Sequence, residues 1–116
     1  MKLIIAIIRP EKVEAVQAAL SKVDVFLMTA SDVRGCGRQR GFKENYRGGE
    51  GIIRLISKVK LEIAVNEDYV KPAVDAILKA ARSEPGKIGD GKIFVLPLLE
   101  CYRIRTGETG GIAIGP

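Results

Sequence analysis

The 116-residue sequence contains no histidine and no tryptophan. The missing imidazole removes the commonest general base and the usual catalytic triads, which argues against hydrolase chemistry. A zinc site would also need an unusual ligand set. Cysteine is scarce. Cys36 and Cys101 have no close spacing and read as reduced, inert residues rather than as a disulfide framework. Three Phe and three Tyr are too few for the stacking face of an RNA-recognition sheet. The longest apolar run, Leu3 to Ile8, is far too short to span a bilayer. It ends in Arg9-Pro10 without a small-residue cleavage site, so it makes a poor signal peptide, and a cytoplasmic protein is expected.

What is present is a hydrophobic content of 47% and a net charge of +5. The first fits one globular domain over residues 1–116; the second suits anionic partners such as nucleotides, organic acids or an acidic surface. Lys2 to Ile8 reads as a strand that is apolar on both faces, one facing a helix layer and the other a neighbouring subunit. Pro10 is placed to open a helix, with Val13, Val16, Ala19 and Leu20 at helical spacing. Asp24 to Val33 returns to extended character, with Val25, Leu27 and Val33 as core candidates. Ile52 to Val65 alternates from Lys58 onward, setting Lys58, Lys60 and Glu62 on one face and Val59, Leu61, Ile63 and Val65 on the other. Asn66 suits an N-cap for a helix with Val70, Ala73, Val74, Ile77 and Leu78 on its apolar face. Pro72 requires either a start near Lys71 or distorted first turns. Ile93 to Leu96 is a short strand ended by Pro97, and Tyr102 to Arg105 reads as extended. The glycine-rich tail from Gly107 is expected to fray. The order is βαββαβ, an α+β, ferredoxin-like arrangement with both helices on one face of an antiparallel sheet.

Three stretches carry candidate chemistry. The segment from Val33 to Gly51 combines many glycines with Arg34, Arg38, Arg40, Lys43 and Arg47, opposed by Glu44 and Glu50. A loop of that length in a small domain is either functional or a solvated tip. Gly35-Cys-Gly-Arg-Gln-Arg-Gly41 is one residue off a dinucleotide fingerprint and lacks the following helix. Gly86-Lys-Ile-Gly-Asp-Gly-Lys92 has the letters of a P-loop, but Ile93 stands where Ser or Thr is needed and a strand follows. Its glycines and Lys92 can still cradle an anion, or form a plain tight turn. Arg103 and Arg105 would share one strand face, which suits a polyphosphate or an exposed basic edge strand.

Together these stretches resemble the PII signal-transduction family. The matching pieces are Ile8-Arg-Pro, Gly35-x-Gly-Arg-Gln-x-Gly41, Tyr46-Arg-Gly48, Lys58-Val-Lys-x-Glu62, Gly86-Lys-Ile-Gly-Asp-Gly-Lys-Ile-Phe-Val95 and Arg103-Ile-Arg-Thr-Gly107. They run in family order over almost the whole chain. The resemblance implies a homotrimer of ferredoxin-like subunits with ATP or ADP in the clefts between them. Residues 37–55 correspond to the target-docking T-loop, 83–92 to the B-loop and 102–116 to the C-terminal loop. Carried over, Gly37, Arg38 and Gln39 lie beside the nucleotide, and Thr29 and Ala64 line the adenine pocket. Gly89, Asp90, Gly91 and Lys92 hold the phosphates, joined by Arg103 and Arg105 of the neighbouring subunit. Gln39 would help to hold Mg2+ between ATP and 2-oxoglutarate, and Lys58 would pair with the oxoacid's carboxylate. Arg40, Lys43, Tyr46 and Arg47 would meet the target.

The sequence also departs from the family pattern. Gly51 stands where many bacterial members carry a uridylylated tyrosine, and Gly49 where some cyanobacterial members carry a phosphorylated serine. Arg54 stands where an acidic residue is frequent, and Ser83-Glu-Pro85 lengthens the B-loop. The implied function is non-catalytic sensing that regulates an ammonium transporter, a nitrogenase component or a metabolic enzyme. A membrane would be met only through a transporter partner, and no nucleic acid is expected. The alternatives are an effector such as bicarbonate, or weak ATPase activity in the same pocket.

Overall fold

The computed structural model describes residues 1–36 and 54–115. Strand β1 (Lys2–Ile8) leads through a 3-10 turn at Pro10–Lys12 into helix α1 (Val13–Ser21). Strands β2 (Thr29–Gly35) and β3 (Ile56–Val65) follow, then a 3-10 turn at Glu67–Tyr69 and helix α2 (Val70–Ala81). Strand β4 (Gly91–Pro97) and the single turn α3 (Gly111–Ile114) complete the chain. The four strands form one antiparallel sheet in the order β2-β3-β1-β4. This is the βαββαβ arrangement that the sequence pattern implies.

Alternation sorts the sheet into two faces. Ile4, Ala6 and Ile8 of β1 and Val59, Leu61, Ile63 and Val65 of β3 are buried with Val16 and Leu20 of α1 and Ala73 and Ile77 of α2. Burying the Ile, Val and Leu side chains of this set stabilises the fold by about 1.5–3 kcal/mol each. On the other face the register gives rows that cross the strands. Lys92, Ile7, Lys60 and Ser31 form one row; Phe94, Ile5, Glu62 and Thr29 form the next; Leu96, Leu3 and Ala64 form a third. Among the described residues no helix covers this face, and Phe94 and Leu96 are 49% and 40% exposed.

Several expectations change. Regular strand structure begins at Thr29, not Asp24, and residues 25–28 connect without pairing. Val25 is buried, but Leu27 is 70% exposed because it leaves the sheet before β2 starts. Val33 is half-buried, and Leu78 is exposed at the margin of α2. Among the described residues β3 begins at Ile56; the expected start at Ile52 lies outside them. For Pro72 the first of its two alternatives holds, since the regular helix starts at Val70, next to Lys71, and Pro72 needs no distortion. It is the third residue of α2, within the first turn, where its missing N–H has no intrahelical partner. Pro97 extends β4 on a sheet edge, where an absent donor is tolerated. Tyr102 to Arg105 is not a strand: Tyr102 forms a bridge with Thr109, and a turn lies between them. The tail does not fray at Gly107, since α3 follows and Ile114 is 7% exposed. Asn66 has extended backbone but makes no side-chain cap bond. Its amide donates instead to the carbonyls of Gly111 and Gly115, at 3.1 and 2.9 Å.

Candidate functional site

The register brings four chain segments to one end of the sheet. Ile8, the last residue of β1, pairs with Val59 of β3 and Gly91 of β4, and Gly35, the last of β2, pairs with Ile56. Cys36 and Arg54, the described residues on either side of 37–53, lie at this same end.

The loop from Ser83 to Gly91 is built around a carboxylate. Asp90 Oδ2 accepts the backbone N–H groups of Ser83 and Lys87 at 2.9 and 3.0 Å. Its Oδ1 accepts Arg9 Nε at 3.0 Å. The Lys87 N–H above all, helped by Ser83 and Arg9, holds the Asp90 carboxyl well below the usual carboxylate range, against an opposing effect of burial. Arg9 Nη2 also donates to the Ile88 carbonyl at 3.1 Å. Asp90, expected among the phosphate-holding groups, therefore spends its charge on shaping the loop. An ionised carboxylate facing a phosphate would repel it.

Glycine is required at two points of this loop. Gly89 has φ +100°, a region that L side chains rarely adopt. Gly91 has φ +112°, and a Cβ there would lie 1.8 Å from the Ile7 carbonyl oxygen. Gly91 is thus fixed by the close approach of β4 to β1, whatever else it does. The Gly89 carbonyl accepts a hydrogen bond from Lys58 Nζ. This contact joins the residue expected to hold an oxoacid to the loop expected to hold phosphate.

The remaining expected residues divide by position. Lys92 stands on β4 at the open face of the sheet, one row from Phe94. Thr29 and Ala64 stand on the far side of that face, on β2 and β3. Ala64 also lines a small cavity with Asp24, Val25, Phe26, Leu27, Val65 and Ile114. From β4 to β2 is three strand spacings, roughly 14 Å. Arg103 Nη1 pairs with Glu108 Oε1 at 2.8 Å, while Arg105 is exposed on the turn between Tyr102 and Thr109. Gly37, Arg38, Gln39, Arg40, Lys43, Tyr46 and Arg47, with Gly49 and Gly51, lie outside the described residues. Arg9 was legible only as part of the Ile8-Arg-Pro motif. Nothing local in the sequence pointed to its bond with Asp90, 81 positions away.

Comparison with known proteins agrees with this architecture. The family model described as nitrogen regulatory protein P-II matches residues 1–108. The chain is 48% identical over 114 residues to nitrogen regulatory protein GlnK1 of Methanosarcina mazei, covering 98% of this chain and 97% of that protein. It is 50% identical over 114 residues to nitrogen regulatory protein P-II 2 of Methanothermobacter thermautotrophicus, again covering 98% and 97%. Among solved structures, Arabidopsis thaliana PII bound to citrate superposes with a TM-score of 0.76 at 40% identity, covering 97% of this chain and 90% of that one. With the model match spanning most of the chain and the relatives aligned almost end to end, the chain belongs to the nitrogen regulatory protein P-II family.

Proposed function

We propose that this chain is a homotrimeric, non-catalytic sensor. It binds ATP or ADP in clefts between subunits, responds to 2-oxoglutarate, and regulates a nitrogen- or carbon-metabolism target through residues 37–55. The observation that carries this reading is the bond from Lys58 to the Gly89 carbonyl. It makes the proposed oxoacid residue a direct neighbour of the proposed phosphate loop, so that a ligand at one alters the other. The named relatives are regulatory proteins, which agrees with a role without turnover. The citrate on the Arabidopsis protein supports a polycarboxylate as a class of ligand.

The sheet's geometry supports a cleft between copies. Thr29 and Lys92 stand on opposite edges of one sheet. A neighbour that presents its own Arg103 and Arg105 to this chain's Gly89, Gly91 and Lys92 would complete the pocket, with Asp90 holding the loop's shape and Thr29 and Ala64 lining the adenine end. The amide oxygen of Gln39 is a hard donor of the kind Mg2+ takes, and bound Mg2+ would neutralise phosphate and oxoacid charge together. The switch is then thermodynamic. ATP with 2-oxoglutarate favours one geometry at the base of the 37–55 segment and ADP another, and the target binds one of them better.

Calorimetric titration of ATP and ADP, each with Mg2+, with and without 2-oxoglutarate, tests the reading. The expected result is 2-oxoglutarate binding that requires ATP and is lost in Lys58→Ala. Binding of neither nucleotide would refute it. Nucleotide binding without any 2-oxoglutarate response would move the effector to another anion, such as bicarbonate.

A further inference from the structure

We propose that Glu108 sets nucleotide affinity by competing with the ligand's phosphates for the Arg103 guanidinium. The inference rests on the nucleotide reading above and adds to it a residue that weakens binding. In this structure Arg103 is already engaged. Its Nη1 donates to Glu108 Oε1 at 2.8 Å, and its Nη2 to the carbonyls of Ile112 and Ala113 at 3.1 and 3.3 Å. The same Glu108 oxygen accepts the Thr106 hydroxyl at 2.9 Å. A carboxylate thus occupies the guanidinium where a phosphate oxygen is expected.

Two features make this an exchange of anions rather than an unfolding step. First, the turn is held by its backbone. Arg103 N–H donates to the Glu108 carbonyl at 2.8 Å, Gly107 N–H to the Arg103 carbonyl at 2.7 Å, and Gly110 N–H to the Cys101 carbonyl at 2.8 Å. The Glu108 side chain can leave without breaking any of these bonds. Second, the α3 carbonyls keep hold of Nη2, so the guanidinium stays in place when its Nη1 partner changes. The pair is also accessible, with side chains 33% and 42% exposed. An ion pair this open to water is weak, and a polyphosphate with several charges displaces a single carboxylate.

The test is a double-mutant cycle read by ATP calorimetry on the intact assembly. Glu108→Gln keeps the size of the side chain and removes its charge, and it is expected to tighten ATP binding about two- to fivefold, the range of an exposed ion pair. Arg103→Ala weakens binding, and adding Glu108→Gln to it has no further effect, because the competitor has lost its object. If circular dichroism shows that Glu108→Gln alters the fold, Glu108→Ala carries the same expectation. Unchanged or weaker ATP binding in both charge-removed variants overturns the proposal and makes Glu108 a bystander or a positioning residue. A tightening that persists without Arg103 overturns it as well. If the wild-type protein itself binds no ATP, the nucleotide reading falls and this inference falls with it. An unmoved Glu108→Gln beside a wild type that binds ATP refutes the inference alone.

Discussion

At the scale of single residues, Asp90 shows how one carboxylate shapes a loop. It accepts two backbone N–H groups and one guanidinium N–H. Asp90→Asn keeps one carbonyl oxygen but replaces the other with a donor and removes the charge. The expected loss is about 1.5–3 kcal/mol at neutral pH, the range for hydrogen bonds to charged groups. Urea denaturation at fixed protein concentration measures it. The pH dependence has a definite sign. The folded pKa is depressed, so the Asp90 contribution is complete above the unfolded value of about 4 and is lost as pH falls through the acid range below it. The gap between wild type and Asp90→Asn therefore narrows below about pH 4. A gap that is constant from pH 7 to pH 3 would show that shape, not charge, carries the effect.

At the scale of elements, the C-terminal turn depends on a residue far away in sequence. Asn66 binds the carbonyls of Gly111 and Gly115, and Ile114 is buried beside β3. Asn66→Ala removes both bonds and is expected to free α3 while leaving the sheet intact. The amides of Ala113 and Gly115, which donate to Gly110 and Gly111, should exchange at least about tenfold faster. Strand amides of β1 and β3 should keep wild-type rates. Uniform acceleration across the chain would mean that Asn66 supports the whole domain instead. The same element marks the limit of what the sequence reveals. The alternation of β3 was readable because period two reports a half-buried strand directly. Pro10 announced a helix start. Asn66 looked like an N-cap because its local neighbours, Glu67 and Asp68, fit one. Its actual partners lie 45 and 49 positions away, and no local pattern encodes them. Arg103 failed in the same way. A strand reading left its guanidinium free, whereas the turn folds Glu108 back onto it. Leu27 was apolar enough for a core, but the chain reaches the sheet only at Thr29.

At the scale of the molecule, the sheet's uncovered face poses the remaining question. Leu3, Ile5 and Ile7 of β1 meet Phe94 and Leu96 of β4 on a face that no helix among the described residues covers. A contiguous apolar surface is where a contact between copies is expected. The trimer proposed above would bury it, and the same assembly would bring Arg103 and Arg105 of one subunit to Lys92 of the next. Stability of the assembly and nucleotide binding are then a single property. Phe94→Lys places a charge in the middle of the apolar rows and leaves the buried helix-facing core untouched. The expected outcome is a folded monomer by sedimentation, with wild-type helix content by circular dichroism. That monomer should also lose ATP binding in calorimetry, although position 94 carries none of the proposed phosphate contacts. A monomer that binds ATP as tightly as the wild type would place the whole pocket within one chain and remove the neighbour's arginines from the site. A trimer that survives Phe94→Lys would mean that the apolar rows are not where copies meet, and that the edges β2 and β4 must carry the contact instead.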